Sequence, residues 1–414
     1  MFSRLHIDTT PMRSRPFTLL LLSRTITRFG SIVTSTTILL HVARLTDSPL
    51  ATGSVAAVQL LPILVLGLYG GHLADRFDRR RLAVLSEAAL TLVAIILCGT
   101  SMLQQPSMTV LYVLVAASSA LASVQRAALD SVVPRVVERD QLASASALLA
   151  ASTTIAGLAA PAIAAALFFQ LGPTFNYGLD AVSFALSALC LFGLPQLPPP
   201  KQEDPMPVHR SLAEGIAYVH TRPDLRASYL FDLAAMAFAA PTTMLPFLAN
   251  SMGIGAGSGI LFTAGAAGSL LMLLMSGWTS RLVHIGIPLA IVCALYGLTT
   301  ALLGASSSFA IAVLLLAAGG AADALSVIFR DTLWNSTIPD RLRGRVAGVE
   351  TVSYAIGAPL SGLIFGTLGT LYGFRAALVI GGSLAIASVC LIALLTPSLR
   401  TVSVKLDHTE SEMS

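Results

Sequence analysis

Apolar stretches long enough to cross a bilayer recur along this chain, separated by short polar punctuation. A helix needs about 20 mostly apolar residues to span the hydrocarbon core. Such stretches fall near residues 17–43, 50–74, 82–102, 108–133, 143–170 and 175–195. A second set falls near 227–250, 258–281, 286–305, 308–335, 346–371 and 375–396. The pattern predicts an all-α membrane protein of twelve transmembrane helices. It breaks between the sixth and seventh stretches, at a Pro-rich, charged run from Pro195 to Arg226 that contains Leu197-Pro198-Pro199-Pro200-Lys201. That run reads as a linker with a short amphipathic helix around Ser211–His220. The expected organisation is a stub over 1–16, a six-helix half over 17–195, a linker over 196–226, a second six-helix half over 227–396 and a tail over 397–414.

Composition points to lipid as the solvent. Hydrophobic residues make up 55% of the 414 and charged residues 11%, whereas a soluble domain carries roughly 25% charge. A larger core does not remove surface charge, so a soluble protein is excluded. The net charge of +4 is too small to mark a nucleic-acid surface. Cys98, Cys190, Cys293 and Cys390 sit in apolar runs without CxxC or metal-like spacing. This predicts buried thiols, with no disulfide framework and no metal site. The histidines are scattered, without HxxxH spacing, so the clusters of a membrane-embedded enzyme are missing and no cofactor is expected. Repeated filter motifs of a channel are missing too. The first sixteen residues form a polar stub, and no cleavable signal is expected before the first span.

Basic residues set the expected orientation. With the stub in the cytoplasm, that side collects Arg4, Arg13, Arg15, the Arg76–Arg81 cluster, Arg135, Arg139, Lys201, Arg210, Arg222, Arg226, Arg281, Arg341, Arg343, Arg345, Arg400 and Lys405. The outer side keeps Arg44 and Arg375. The asymmetry obeys the positive-inside rule and predicts both termini in the cytoplasm of a bacterial inner-membrane protein. The halves also resemble each other. Gln125-Arg126-Ala127-Ala128-Leu129 runs through Val133-Pro134-Arg135 into a small-residue helix, and Phe329-Arg330-Asp331-Thr332-Leu333 runs through Ile338-Pro339-Asp340-Arg341 into another. A parallel repeat of two six-helix halves around a midplane site is one plan of secondary transporters.

Gly71-His72-Leu73-Ala74-Asp75-Arg76-Phe77-Asp78-Arg79-Arg80, between spans 2 and 3, resembles the signature loop of the major facilitator superfamily, G-x-L-A-D-R-x-G-R-R. Asp78 stands where the family has its second Gly, and the equivalent loop of the second half, Gly277-Trp278-Thr279-Ser280-Arg281, has lost the acid. The resemblance implies a conformational latch at Gly71, Asp75, Arg76 and Arg80. Asp130, at the inner end of span 4, is the expected partner of Arg76. On the plainer reading the loop arginines only retain it in the cytoplasm. Four further segments resemble the enterobactin-exporter group, within the drug:proton antiporter subset that also holds macrolide efflux proteins. These are Arg126-Ala127-Ala128-Leu129 with Val133-Pro134, Phe175 to Asp180, Leu194 to Pro200, and Pro339 to Gly348. The resemblance implies export of a siderophore or, alternatively, of drugs, powered by a proton gradient. The span-5 antiporter motif is degenerate, keeping Gly157 and Pro161 with Ala at most other glycine positions.

Ionisable groups inside spans are costly and usually functional. Arg24 and Arg28 are spaced i, i+4 and share a helix face. Arg28 lies about 16 Å along the span at 1.5 Å per residue, close to mid-depth. Two such cations suit an anionic cargo, such as a carboxylate- or catecholate-bearing chelator; the alternative is a structural pair with an acid on a neighbouring helix. Asp323, near mid-depth, and Asp232 are the expected proton carriers, since a desolvated carboxylate takes up a proton more readily; the alternative for each is a buried ion pair. Glu87 reads as shallow, and Asp180 as a cap or pair near the outer surface. Arg126, Arg330, Asp331, Arg345 and Glu350 are expected to form an inner gate. The partners expected are the small-molecule cargo, the bilayer and an outer-envelope efflux component, with no nucleic acid and a monomeric state.

Overall fold

A computed structural model of the protein describes residues 8–196 and 208–400. The side chains of 67–76, 208–212, 280–281, 340–341, 343–345, 347–349, 351–352, 354–355 and 399–400 lie outside that description. Helix α1 (Arg15–Thr46) is followed by α2 (Pro49–Arg76), α3 (Arg79–Ser101) and α4 (Met108–Asp130). The one-turn α5 (Val133–Val136) leads to α6 (Leu142–Leu171) and α7 (Pro173–Phe192). The remaining helices are α8 (Val208–Thr221), α9 (Pro223–Ala239), α10 (Leu245–Ser251), α11 (Ser258–Met275), α12 (Gly286–Ala305), α13 (Phe309–Thr337), α14 (Asp340–Tyr372) and α15 (Phe374–Leu395). Among the described residues, eleven helical segments are long and apolar enough to cross a membrane, with α9 and α10 counted together as Pro223–Ser251. α14 supplies the twelfth, with its apolar stretch over Ile356–Tyr372. The all-α architecture read from the hydrophobic pattern is therefore the observed one.

Burial is inverted relative to a soluble protein. Leu61, Leu274 and Leu395 are 72%, 78% and 73% exposed, while Ser23, Glu87, Asn176 and Ser187 are at 0%. Leucine facing outward in such numbers is stable only against lipid, and the polar side chains turn inward to find partners. This corrects the reading of the cysteines. Cys293 is buried, but Cys390 is exposed on α15 and Cys98 and Cys190 are half-buried, because an apolar position on a spanning helix can face lipid as readily as the core.

The chain packs as two units, one of Met1–Pro205 with Gly253–Thr263, the other of Met206–Met252 with Ala264–Ser414. In the first, α7 packs on α1 and α3, α4 on α2 and α3, and α6 on α1. Gly30 lets α1 approach α7, since a Cβ there would overlap the Asp180 and Ser183 side chains. Gly259 lies against Ala162 of α6, where a Cβ would come within 2.5 Å of the Ala162 Cα. In the second unit α12 packs on α13 and α15, and α9 on α14 and α15. Small residues set these spacings, as expected where lipid supplies no hydrophobic drive between helices. A Cβ on Gly268 would collide with the Ala317 carbonyl, and one on Gly320 with that of Gly265.

The seventh span is broken. Pro241 lacks an N–H and cannot continue α9, which ends at Ala239. The carbonyls released are taken up by neighbours. The Thr300 hydroxyl donates to Ala239 O at 2.6 Å and the Ser361 hydroxyl to Ala240 O at 2.8 Å, meeting the demand that no backbone group in hydrocarbon be left unpaired. The linker helix α8 extends over a longer range than Ser211–His220 and is fastened to the second unit. Its Val219 is buried with Leu225, Tyr229, Leu333, Trp334, Ile338 and Val346.

Candidate functional site

Charged side chains gather at one place in each unit. In the first, Arg24 and Arg28 lie one turn apart on α1 but have different surroundings. Arg24 Nη2 donates to Asp130 Oδ1 on α4 at 2.6 Å, with the side chains 21% and 61% exposed. This is the structural pair with a neighbouring acid, a partly solvated tie worth about 0–1 kcal/mol. It also occupies the carboxylate expected to face Arg76. Arg28 is exposed and has no acid paired with it among the described residues. The charge within its reach is another cation, the exposed Arg126 of α4. Arg126 was expected at an inner gate; the structure puts it within electrostatic range of Arg28. Two guanidiniums that repel each other are relieved by an anion between them, and the forked donors of Arg suit carboxylate or catecholate oxygens.

Of the latch residues, the side chains of Gly71, Asp75 and Arg76 lie outside the described ones. Arg80 donates to the Phe192 carbonyl and lies over the Phe192 ring, 4.9 Å from its centroid, so it ties the start of α3 to the end of α7. Arg79 Nη1 donates to Ser131 O at 2.9 Å. Asp78, the departure from the signature, caps α3, its Oδ1 accepting the Arg81 N–H at 2.9 Å. Aspartate is a preferred residue at that position, which explains locally why a carboxylate is tolerated in place of Gly.

In the second unit Asp232 of α9 forms an ion pair with Arg330 of α13, both side chains nearly inaccessible at 3% and 1%. Asp323, two turns earlier on α13, is within electrostatic reach of both. Asp331 and Glu350 are within reach of Arg330. The residues expected as two separate groups, Asp232 and Asp323 for coupling and Arg330, Asp331 and Glu350 for a gate, thus form one cluster. Among the described side chains it sets one guanidinium among four carboxylates. Arg330, expected at an inner gate, is nearly closed to solvent; its desolvated charge needs a partner at its own depth, and α9 supplies Asp232. The Arg345 side chain lies outside the described ones. Trp334 and Phe329 are buried in packing. Trp334 stacks on Tyr229 at 4.6 Å and donates to Ser228 Oγ at 2.9 Å.

Two acids placed by the sequence only by their depth along a span are fully enclosed by neighbouring helices. Glu87 is at 0% exposure and Asp180 at 2%, and Asp180 is not a cap, since α7 begins at Pro173 with Gly172 as its N-cap. The signal that finds them is the spacing of small polar residues on α1 (Ser23, Thr27, Thr34, Thr37, His41), which marks a face that must meet polar partners.

This is the fold of a helical membrane transporter with charged groups held inside each unit. The family model of the Major Facilitator Superfamily matches residues 20–349, and the chain belongs to that superfamily; it is a transporter, not an enzyme. Enterobactin exporter EntS of Escherichia coli O127:H6 (strain E2348/69 / EPEC) is 28% identical over 305 residues, 73% of each chain. EntS of Shigella boydii serotype 18 (strain CDC 3083-94 / BS512) is 27% identical over the same share. Among solved structures, the nucleoside transporter NupG matches with a TM-score of 0.75 at 14% identity, covering 94% of this chain and 99% of that one. A bacterial homologue of the iron transporter ferroportin, in an inward-facing state, matches at 0.70 and 17%, covering 94% and 99%. At such identities these two show the fold alone.

Proposed function

We propose that this protein exports an anionic secreted metabolite of the catecholate siderophore type, such as enterobactin, across the bacterial inner membrane by proton antiport. The observation that carries the reading is the Arg28–Arg126 pair, two exposed guanidiniums within electrostatic range of each other and, among the described residues, without a paired acid. The relatives named as enterobactin exporters support the same cargo class. Both termini face the cytoplasm, as the basic loops require, and alternating access exposes the cargo site to each side in turn. The Gly71–Arg80 segment, which is the end of α2, a two-residue turn and the start of α3 rather than the loop expected, acts as the latch of the inward side, with Arg80 holding α3 to α7. Of the two acids expected to carry protons, Asp232 is compensated by Arg330. Asp323 is therefore the coupling acid of the second unit, loaded from outside and unloaded inside while cargo moves outward. The gradient serves in place of any cofactor. The protein acts as a monomer and delivers cargo to an outer-envelope efflux component.

The experiment is transport by the purified protein in proteoliposomes, with a catecholate siderophore and a macrolide as alternative cargoes. Wild type is expected to move the catecholate, and Arg28→Ala to lower that transport by about tenfold or more, the loss of one charge-assisted contact. Arg28→Lys is expected to keep part of it. A cationic macrolide meets two guanidiniums and is expected to be a poor cargo. Transport of the macrolide with none of the catecholate contradicts the siderophore reading and makes drug efflux the function.

A further inference from the structure

The first unit contains a polar seam that the cargo site does not use. Along α1, Ser23, Thr27, Gly30, Thr34, Thr37 and His41 follow one another at alternating steps of four and three, which puts them on one face. Their span is about 27 Å at 1.5 Å per residue, close to the roughly 30 Å of a hydrocarbon core. The five side chains in this stripe are all buried. Opposite them on α7 stand Asn176, Asp180, Ser183 and Ser187, also buried. Hydrogen bonds cross the seam at intervals. Asn176 Nδ2 donates to Thr37 Oγ1 at 2.7 Å, His41 and Tyr177 meet at 3.1 Å, and the Ser23 and Ser187 hydroxyls meet at 2.7 Å.

Glu87 of α3 closes one end of this seam. Its Oε1 accepts from Ser187 Oγ at 2.5 Å, Gln125 Nε2 at 2.7 Å and Thr27 Oγ1 at 3.0 Å. Its Oε2 is fully buried and has no hydrogen-bond partner among the described residues. The groups facing it are Ser187, Asp180 and Cys190 from α7, Gln125 from α4 and Thr27 from α1. None is a cation. On its own helix Arg79 is two turns away, where its Nη1 donates to Ser131 O. A buried carboxylate normally needs a paired cation or a proton, and among the described residues the structure supplies only neutral donors and a second acid. Asp180, that second acid, lines a cavity of about 140 Å³ together with Thr34, Ser35, Gln59 and Ser119, enough for several waters. Ser183 and Ser187 lie on the α7 face between the cavity acid and Glu87.

We propose that Glu87 is a proton-binding site of the first unit, loaded and unloaded through Asp180 and its cavity along the α1–α7 seam. The proton arrives from water at the cavity, passes by way of Asp180 and the serine hydroxyls to the Glu87 carboxylate, and leaves to water, with no bond other than O–H made or broken. Arg28 follows Thr27 on α1, outside the seam but on the helix that lines it, so the charge state of Glu87 is coupled through Thr27 to the helix that presents the cargo arginine. This deepens the antiport reading and rests on it. It adds a second proton site to Asp323 of the second unit.

The test compares wild type, Glu87→Gln and Asp180→Asn in proteoliposomes with an internal pH dye. Cargo-for-cargo exchange and cargo-driven proton movement are measured on the same vesicles. Glutamine keeps the three hydrogen bonds to Oε1 but cannot bind a proton. Glu87→Gln is expected to keep exchange at the wild-type rate while protons moved per cargo fall by half or more. Asp180→Asn is expected to slow proton movement with the same exchange. Unchanged protons per cargo in Glu87→Gln overturns the proposal and leaves the seam a structural zipper. A wild type without cargo exchange is instead a failure of the cargo reading. In that case, infrared difference spectra of the same proteins between acidic and alkaline buffer decide the inference. A protonated-carboxyl band lost in Glu87→Gln supports it, and a band unchanged by that substitution overturns it.

Discussion

A guanidinium inside a spanning helix has to find an anion, and Arg24, Arg28 and Arg330 show three outcomes of that demand. Arg24 finds Asp130 at 2.6 Å in a partly solvated tie. Arg330 finds Asp232 in a pair almost closed to solvent. Among the described residues Arg28 has Arg126 within electrostatic range and no paired acid, which is why it is the residue proposed for cargo. The cost of intramembrane charge was legible from sequence, so Arg24, Arg28, Asp232 and Asp323 were picked out by position alone. Their partners were not legible, because spacing along one helix says nothing of which face meets which neighbour. Removing one member of a buried ion pair leaves an uncompensated charge, at a cost of about 3–5 kcal/mol. Arg330→Met is therefore expected to lower thermal stability in detergent sharply, and Asp232→Asn combined with Arg330→Met to restore a large part of it. Equal loss in the single and double variants would show that the pair contributes nothing as a pair.

At the scale of elements, all twelve spans were readable because a run of about 20 apolar residues seldom forms anything but a membrane-crossing helix. The irregular parts were not. The break at Pro241 is closed by hydroxyls from two other helices, Thr300 and Ser361, and nothing near Pro241 in sequence announces them. The glycine contacts are similar. Gly268 and Gly99 look alike in an apolar run, yet a Cβ at Gly268 collides with the Ala317 carbonyl while one at Gly99 meets nothing within 4 Å. Gly268→Ala is thus expected to destabilise the second unit, by the strain of parting α11 from α13. Gly99→Ala is expected to be neutral or to stabilise by about 0.5–1 kcal/mol, the usual helix-interior difference. Melting of the two variants side by side checks both. A neutral Gly268→Ala would mean that α11 and α13 are not held at that spacing.

For the whole molecule, the superfamily and the transporter class follow from the family match and the helical architecture. The cargo and its direction are proposals. The broad plan was legible because lipid constrains composition, loop charge and span length together. The enclosure of Glu87 and Asp180 was not legible, because position along a helix gives depth, whereas burial depends on the face turned to the neighbouring helices. The central claim is outward movement of an anionic siderophore, and the most direct measurement is made in the cells that produce the protein. Cells lacking it are starved of iron, and siderophore in medium and cytosol is quantified by mass spectrometry, with wild-type and Arg28→Ala rescues run in parallel. Export predicts intact siderophore held inside the deficient cells, or its fragments outside, with secretion restored by wild type and not by Arg28→Ala. Unchanged secretion in the deficient cells would contradict it.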